Sequence, residues 1–260
     1  MQLTVLTENY AGSGFIAEHG LSYLIEHEGK KVLFDVGNSD VFLKNANQLS
    51  IDIQTEIKTV VLSHGHWDHG NGLQFINNKK LITHPGSFIK RYRKKDNSYL
   101  GLKFSKREVE EKFDLKLKKE PFYITDKIIF LGTIPRTNNF ESKSTNFIDK
   151  NGQPDFVIDD SALAIIQNNE LIIVTACSHS GVCNIIEYAT KITGIKKVKT
   201  VIGGFHLKHN NLQTQQTINY LKEKNIDNIY PSHCTQMEAL VAFYNNFNTT
   251  QVKTGMILNL

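Results

Sequence analysis

The sequence predicts an α/β domain, because short apolar runs with strand patterns alternate along the chain with segments of helical periodicity. Three strand patterns separated by glycines open the chain, and several later strand patterns each follow a helical segment. Of the 260 residues, 40% are hydrophobic and 22% are charged, so the chain can bury one substantial core. We therefore expect one domain over residues 1–260.

The first half of the chain is predicted to begin as a β-meander and to continue with alternating helices and strands. Its strand patterns cover residues 2–7, 21–27, 31–35, 59–63 and 81–83. Helical spacing of apolar residues predicts a helix over 40–49, and residues 71–76 begin another helical segment.

The second half repeats this alternation of strands and helices. Its strand patterns cover residues 128–131, 162–167, 171–176, 200–202, 228–231 and 256–260. Its helical patterns cover residues 182–193, 214–225 and 236–247. The sequence QNNE, which joins two of the strands, is typical of a hairpin turn.

A basic segment separates the two halves. Residues 86–119 show no period of two, and Ser105 with Glu108 predicts a capped helix, so we interpret the segment as an inserted flap. Residues 90–120 hold twelve Lys and Arg against six Asp and Glu, or +6, whereas the whole chain carries +4. The rest therefore sums to −2. The segment is either a solvated surface or a basic wall beside an anionic substrate.

Composition limits the possible partners and the cellular location. The pI of about 8.8 and the absence of a nucleic-acid motif argue against binding to nucleic acid. No run of about 18 apolar residues and no signal-peptide pattern occurs, so we expect a soluble, cytoplasmic protein without a membrane partner. Three cysteines, Cys177, Cys183 and Cys234, are expected to be reduced. The oligomeric state is left open.

The stretch VVLSHGHWDHGNGL, residues 60–73, concentrates potential metal ligands directly behind a predicted buried strand. Imidazole and carboxylate are usual ligands of zinc and similar divalent ions. In a tight loop, His64 and His66 would face one metal, whereas Asp68 and His69 would face a second metal a few ångströms away. Four potential ligands within six positions favour metal binding over a structural role.

Several motifs resemble those of a known family. The sequence SHGHWDHGNG resembles the HxHxDH signature of the metallo-β-lactamase superfamily, and FDVG resembles the strand that carries Asp35 in that fold. Three further motifs resemble a branch named for a dihydropterin and ribofuranosylaminobenzene phosphate synthase of methanopterin biosynthesis. These motifs are VTACSHSG at 174–181, IGGFHL at 202–207 and PSHCT at 231–235.

The resemblance implies a four-layer αββα sandwich of two mixed sheets, with the metal site at one edge between the sheets. By this correspondence, His233 completes the ligands of the second metal. His179, just past a predicted strand, would be the third imidazole of the first metal.

The sequence departs from the superfamily pattern in its second half. The usual histidine near a Pro-Gly turn and the aspartate that bridges both metals are absent, and Cys177 stands where that aspartate is expected. Asp160 could be an additional ligand, a hydrogen-bond partner of a ligand, or a turn former. Cys177 and Cys234 could supply thiolate ligands or be small buried thiols.

The remaining histidines differ in their expected roles. His206 follows a strand and two glycines, so it could be a metal ligand, a proton donor or a substrate contact. Three histidines among turns and polar residues are expected to be solvated; they are His19, His27 and His209. His84 ends a strand and could lie near the site. Trp67 is expected to pack beneath the loop of residues 64–69, or else to form part of the substrate wall.

The predicted function is metal-dependent hydrolysis of a small anionic substrate, such as a phosphate-bearing molecule. Two divalent metals, zinc or else iron or manganese, lower the pKa of a water from 15.7 to about 7. Asp68 would hold that water, and His206 could assist the leaving group. The alternatives are a transferase that joins a dihydropterin to a ribofuranosylaminobenzene phosphate, and a non-catalytic metal or ligand sensor.

Overall fold

The computed structural model describes residues 1–260, which divide into two compact units. Unit 1 comprises Met1–Lys119, Asn146–Asp155 and Val252–Leu260, and unit 2 comprises Glu120–Thr145 and Phe156–Gln251. Each unit holds one large mixed sheet with helices, which confirms the predicted α/β class. The single-domain interpretation stays a prediction.

The secondary structure contains fifteen strands and seven α-helices. The strands are β1 (Gln2–Thr7), β2 (Ser22–His27), β3 (Lys30–Phe34), β4 (Thr59–Val61), β5 (Lys80–Thr83), β6 (Arg91–Arg93), β7 (Asp114–Leu117), β8 (Phe122–Tyr123), β9 (Ile128–Phe130), β10 (Phe147–Asp149), β11 (Ala162–Gln167), β12 (Glu170–Thr175), β13 (Val198–Gly204), β14 (Asn228–Ser232) and β15 (Ile257–Asn259). The helices are α1 (Val41–Gln48), α2 (Ile53–Glu56), α3 (Trp67–Gly70), α4 (Lys106–Lys112), α5 (Val182–Thr193), α6 (Leu212–Glu223) and α7 (Met237–Asn246). Two 3-10 helices cover Asn71–Phe75 and Pro85–Phe88. None of the helices is long and apolar enough to cross a membrane.

The sheet of unit 1 has seven strands in the order β15-β1-β2-β3-β4-β5-β7. Strands β1, β2 and β3 pair antiparallel, as the predicted meander requires, and β3, β4, β5 and β7 run parallel. Glu28 and Gly29 both have positive φ, which is the geometry of a tight hairpin turn between β2 and β3. Phe42 and Ala46 of α1 pack in one core cluster with Leu33 of β3. Parallel strands place their carboxyl ends on one edge, so the residues that follow β3 and β4 meet there.

The predicted flap is more ordered than the sequence indicates. Its residues Asp114–Leu117 form β7, a parallel strand beside β5, although four alternating residues are too short a pattern to predict it. Strand β6 pairs antiparallel with β10, which lies more than fifty positions later in the chain. The fully buried Arg91 contacts Asp155 at 3.0 Å. The capped helix α4 begins with the predicted capping box.

The sheet of unit 2 has six strands in the order β14-β13-β12-β11-β9-β8. Strands β12, β13 and β14 run parallel, and α5, α6 and α7 contribute Ile186, Leu221 and Phe243 to one core cluster with them. Asn168 and Asn169 both have positive φ in the predicted hairpin turn between β11 and β12. The carboxyl ends of three neighbouring parallel strands therefore lie on one edge of this sheet.

Candidate metal centre

The metal loop of unit 1 runs from the end of β4 into helix α3. His66 has extended backbone angles, φ −88° and ψ 148°, and the helical turn Trp67–Gly70 starts directly after it. Residues 64 and 65 form a bend before this turn. His64 and His66 therefore precede the helical turn, whereas Asp68 and His69 lie within it and form a second pair.

The donor atoms of this loop converge in pairs. His64 Nε2 lies 2.9 Å from His66 Nδ1, a few tenths of an ångström less than the spacing of about 3.3 Å that follows from two 2.0–2.1 Å bonds to one tetrahedral zinc. His69 Nε2 lies 3.8 Å from Asp68 Oδ2. His64 and His69 are fully buried. Such close, buried nitrogen and oxygen donors fit divalent metals.

Asp35 fixes the tautomers of two of these histidines. Its backbone follows β3 in the left-handed region, at φ 57°, and its Oδ1 accepts a hydrogen bond from Ser63 N at 2.7 Å. Its Oδ2 accepts from Ser63 Oγ and from His69 Nδ1, each at 2.7 Å. Because Ser63 gives its proton to Asp35, its oxygen accepts from His64 Nδ1 at 2.8 Å. Both histidines therefore keep an unprotonated Nε2, which is the form that binds a metal.

Asp35→Asn is expected to weaken zinc binding by about 10- to 100-fold, the usual loss when an outer partner of a ligating histidine is changed. An asparagine amide cannot accept all three hydrogen bonds that the Asp35 carboxylate accepts. Zinc affinity is measured by competition with a chromogenic chelator. The matched control is Asp40→Asn, since Asp40 only forms a partly exposed pair with Lys44. Unchanged affinity in a folded Asp35→Asn protein would contradict the tautomer assignment.

In unit 2, a second set of donors follows the carboxyl ends of β12, β13 and β14. The sulfur atoms of Cys177 and Cys234 and a ring nitrogen of His206 all lie within 4.8 Å of one another. The ring of His179 lies 4.4 Å from the ring of His206, measured between centroids. Since these residues lie past neighbouring parallel strands, the sheet itself brings them together.

Hydrogen bonds between loops hold His206 and His233 in place. Phe205 N donates to Thr235 Oγ1, and Gln236 N donates to Leu207 O, each at 2.9 Å. These bonds flank His206 on both sides. His206 and His233 both have left-handed backbones, at φ 52° and 49°. Non-glycine residues in this region store strain that is typical of functional sites.

Two titratable groups near these loops have shifted pKa values. Burial raises the pKa of Asp160, against hydrogen bonds from the backbone N–H and hydroxyl of Ser180 at 2.9 and 2.5 Å. Asp160 thus holds the loop that carries His179. Burial also opposes ionisation of Cys234, but the neighbouring Cys177 thiol and His206 hold the pKa of Cys234 well below its ordinary value.

Comparison with known proteins identifies the family. The profile of the Metallo-beta-lactamase superfamily matches residues 16–189, well over half of the chain. The chain belongs to the metallo-β-lactamase superfamily. The predicted resemblance and fold are confirmed, and the HxHxDH stretch of the superfamily lies in the matched region.

Three similar proteins place the chain more closely within the superfamily. An uncharacterised protein of Methanocaldococcus jannaschii is 33% identical over an alignment of 265 positions, which covers 99% of this chain and 100% of that protein. A 7,8-dihydropterin-6-methyl-4-(beta-D-ribofuranosyl)-aminobenzene-5'-phosphate synthase of the same organism is 36% identical over an alignment of 270 positions, which covers 95% of this chain and 92% of that protein. The crystal structure of Tm1679, described as a metal-dependent hydrolase of the beta-lactamase superfamily, matches with a TM-score of 0.89 and 29% identity, covering 100% and 99% of the two chains. The resemblance to the synthase branch is thereby confirmed.

The other histidines differ in part from their predicted positions. His19, expected to be solvated, is 58% exposed at its side chain, yet its Nε2 lies 3.2 Å from Asp68 Oδ2 and its ring lies 5.4 Å from Trp67. His27 is buried in β2 rather than solvated. His84 caps the following 3-10 helix by accepting from Gly86 N, and His209 is exposed beside Glu238. Sequence reasoning missed His19 because no local motif links it to a residue 49 positions away.

Parts of the predicted flap contact the metal loop of this superfamily member. Gly65 lies so close to Ser87 that a Cβ at position 65 would stand 1.8 Å from the backbone carbonyl oxygen of Ser87. Trp67 N donates to Leu100 O at 3.1 Å. The Phe147 ring, on the strand paired with β6, lies 4.8 Å from the His66 ring. The flap is therefore built against the loop rather than apart from it.

Proposed function

We propose that the chain is a hydrolase that uses two divalent metals, which we expect to be zinc. The proposed ligands of the first metal are His64, His66 and His179, and those of the second are Asp68, His69 and His233. The observation that carries the proposal is the Asp35 network, which leaves His64 Nε2 and His69 Nε2 unprotonated in a buried loop. His179 and His233 are included because the superfamily resemblance implies them.

The roles proposed for the remaining groups follow from their chemistry. When bound, two divalent cations supply Lewis acidity and make water a nucleophile near neutral pH. The Asp68 carboxylate accepts a hydrogen bond from that water and orients it. His19, 3.2 Å from the same carboxylate, keeps it in position. His206 acts on the leaving group.

Hydrolysis and group transfer are the two candidate reactions. The similar structure described as a metal-dependent hydrolase supports the first, and the relative named a synthase supports the second. The test is to supply zinc to the metal-stripped chain and to assay phosphodiesters, lactones and thioesters beside the dihydropterin transfer. Metal-dependent hydrolysis supports our proposal. Transfer without hydrolysis would favour the synthase, and metal binding without any turnover would favour a sensor.

We further propose that the substrate is anionic and that the flap contributes to its binding. The residues that follow β6 include the exposed Lys94 and Lys95. Strand β6 pairs with the strand that carries Phe147, whose ring contacts His66. Positive charge near a metal loop raises the local concentration of anionic substrates.

Reversing both charges, Lys94→Glu with Lys95→Glu, is expected to raise the KM about tenfold at low salt, because the attractive field is lost. The effect should shrink as salt screens the charges. Kinetics at low and high salt measure both changes, and the metal content should stay the same.

The matched control reverses Lys106 and Arg107 on helix α4. It changes the net charge equally, but these residues pair with Glu110 and Glu111 on their own helix. A KM that is unchanged at low salt in the Lys94 and Lys95 variant would defeat the proposal. A change of elution volume on a sizing column would show instead that these lysines form a subunit contact.

A further inference from the structure

The donor set at the strand ends of unit 2 contains two thiols that the proposed dinuclear site does not use. Cys177 follows β12, His206 follows β13 and Cys234 follows β14. Their sulfur and nitrogen donor atoms lie within 4.8 Å of one another, and the Cys177 side chain is buried. Two cysteines and one histidine are a ligand set that zinc and other thiophilic cations prefer.

The absence of a side chain at Gly204 leaves room for the Cys234 thiol at the strand ends of unit 2. A Cβ at Gly204 would lie 2.5 Å from Cys234 Sγ and 2.5 Å from Ala176 O, so a side chain at this position would displace the Cys234 thiol. Cys234 Sγ lies 3.4 Å from Cys177 O. Gly204, the last residue of β13, therefore lies close to both Ala176 and Cys234, and the Cys234 thiol is held beside Cys177.

The third cysteine shows what a purely structural thiol looks like in the same unit. Cys183 is buried in the first turn of α5, within the apolar core cluster of that helix. Burial raises the pKa of its thiol well above the ordinary value. Cys177 and Cys234 differ from it because a ring nitrogen of His206 lies within 4.8 Å of both of their sulfur atoms.

We propose that Cys177, His206 and Cys234 bind a thiophilic divalent cation through two sulfurs and one nitrogen. Three protein ligands leave a fourth position for a small molecule, as in zinc sites that take part in catalysis. One ring nitrogen of His206 then serves as a metal ligand, which is one of the three roles that the sequence leaves open. The inference rests on unit 2 alone, so it does not depend on the proposed hydrolase activity.

Cobalt(II) is the probe, because thiolate ligation gives an ultraviolet charge-transfer band that nitrogen and oxygen ligands do not give. The full chain is reduced, stripped of metal and titrated with Co²⁺. We expect the band in the wild type and in Cys183→Ser. The variants Cys177→Ser and Cys234→Ser should each weaken the binding that produces the band by more than about 100-fold, since even outer partners of a ligand cost up to that factor.

Two further measurements test the site, one on the unmodified chain and one on a variant of the metal loop in unit 1. Zinc should protect Cys177 and Cys234 of the unmodified chain from alkylation, read by mass spectrometry, and should leave Cys183 unchanged; this arm needs no variant to fold. The double variant His64→Ala with His66→Ala should retain the band, because neither residue is among the three proposed ligands, and loss of the band in this variant would overturn the inference. Absence of the band in the wild type, its persistence when both Cys177 and Cys234 are serine, or alkylation unaffected by zinc would overturn the inference.

Discussion

His66→Ala is expected to remove about one metal ion per chain and to lower turnover about 1,000-fold. Metal ions contribute several kcal/mol to catalysis, and each 1.4 kcal/mol corresponds to a factor of ten. His66 Nδ1 lies 2.9 Å from His64 Nε2. The substitution therefore removes one of the two nitrogen atoms of unit 1 that are proposed to bind the first metal. Elemental analysis and the hydrolysis assay measure the two effects on the same sample.

The control for this variant is His27→Ala. His27 is also a buried histidine of unit 1, but it lies in β2 and outside the metal loop. Its replacement should leave the metal content unchanged, whatever it does to the stability of the sheet. If His66→Ala keeps the full metal content, His66 is not a ligand and the pairing with His64 is structural.

His233→Ala is expected to have a similarly large effect, with loss of the second metal and of most activity. His233 directly follows β14 in a left-handed conformation, which the hydrogen bond from Thr235 N to Ser232 O supports. Alanine keeps the loop but removes the imidazole. Metal content and turnover are compared with those of His209→Ala, whose side chain is 64% exposed and pairs only at the surface with Glu238. Equal effects of the two substitutions would show that His233 does not hold the second metal.

Local signals made much of this fold predictable. Helix α5 has the predicted bounds, since its apolar spacing is regular and it follows Gly181. The hairpin at Asn168 and Asn169 was predictable because asparagine tolerates the left-handed backbone that the turn needs. The convergence of His64 with His66 and of Asp68 with His69 was predictable because these residues lie within six positions of the sequence. Such features depend on a few neighbouring residues, which a single sequence displays.

Features that depend on distant contacts were not predictable in this way. The roles of Asp35 and Ser63 arise only when β3 and β4 pair in parallel, which brings a carboxylate beside a residue 28 positions later. The pairing of β6 with β10 joins two three-residue strands, too short for a clear pattern. The contact between His19 and Asp68 is likewise long-range. The periodicity of apolar residues carries no signal for any of these long-range contacts.

The most direct test of the account is the metal content of the unmodified chain, expressed with zinc supplied and purified without chelator. Elemental analysis should give more than one divalent metal per chain, because two donor pairs converge in the metal loop of unit 1. A chain that carries no metal under these conditions, although folded, would contradict the proposed metal centre and the hydrolase assigned to it.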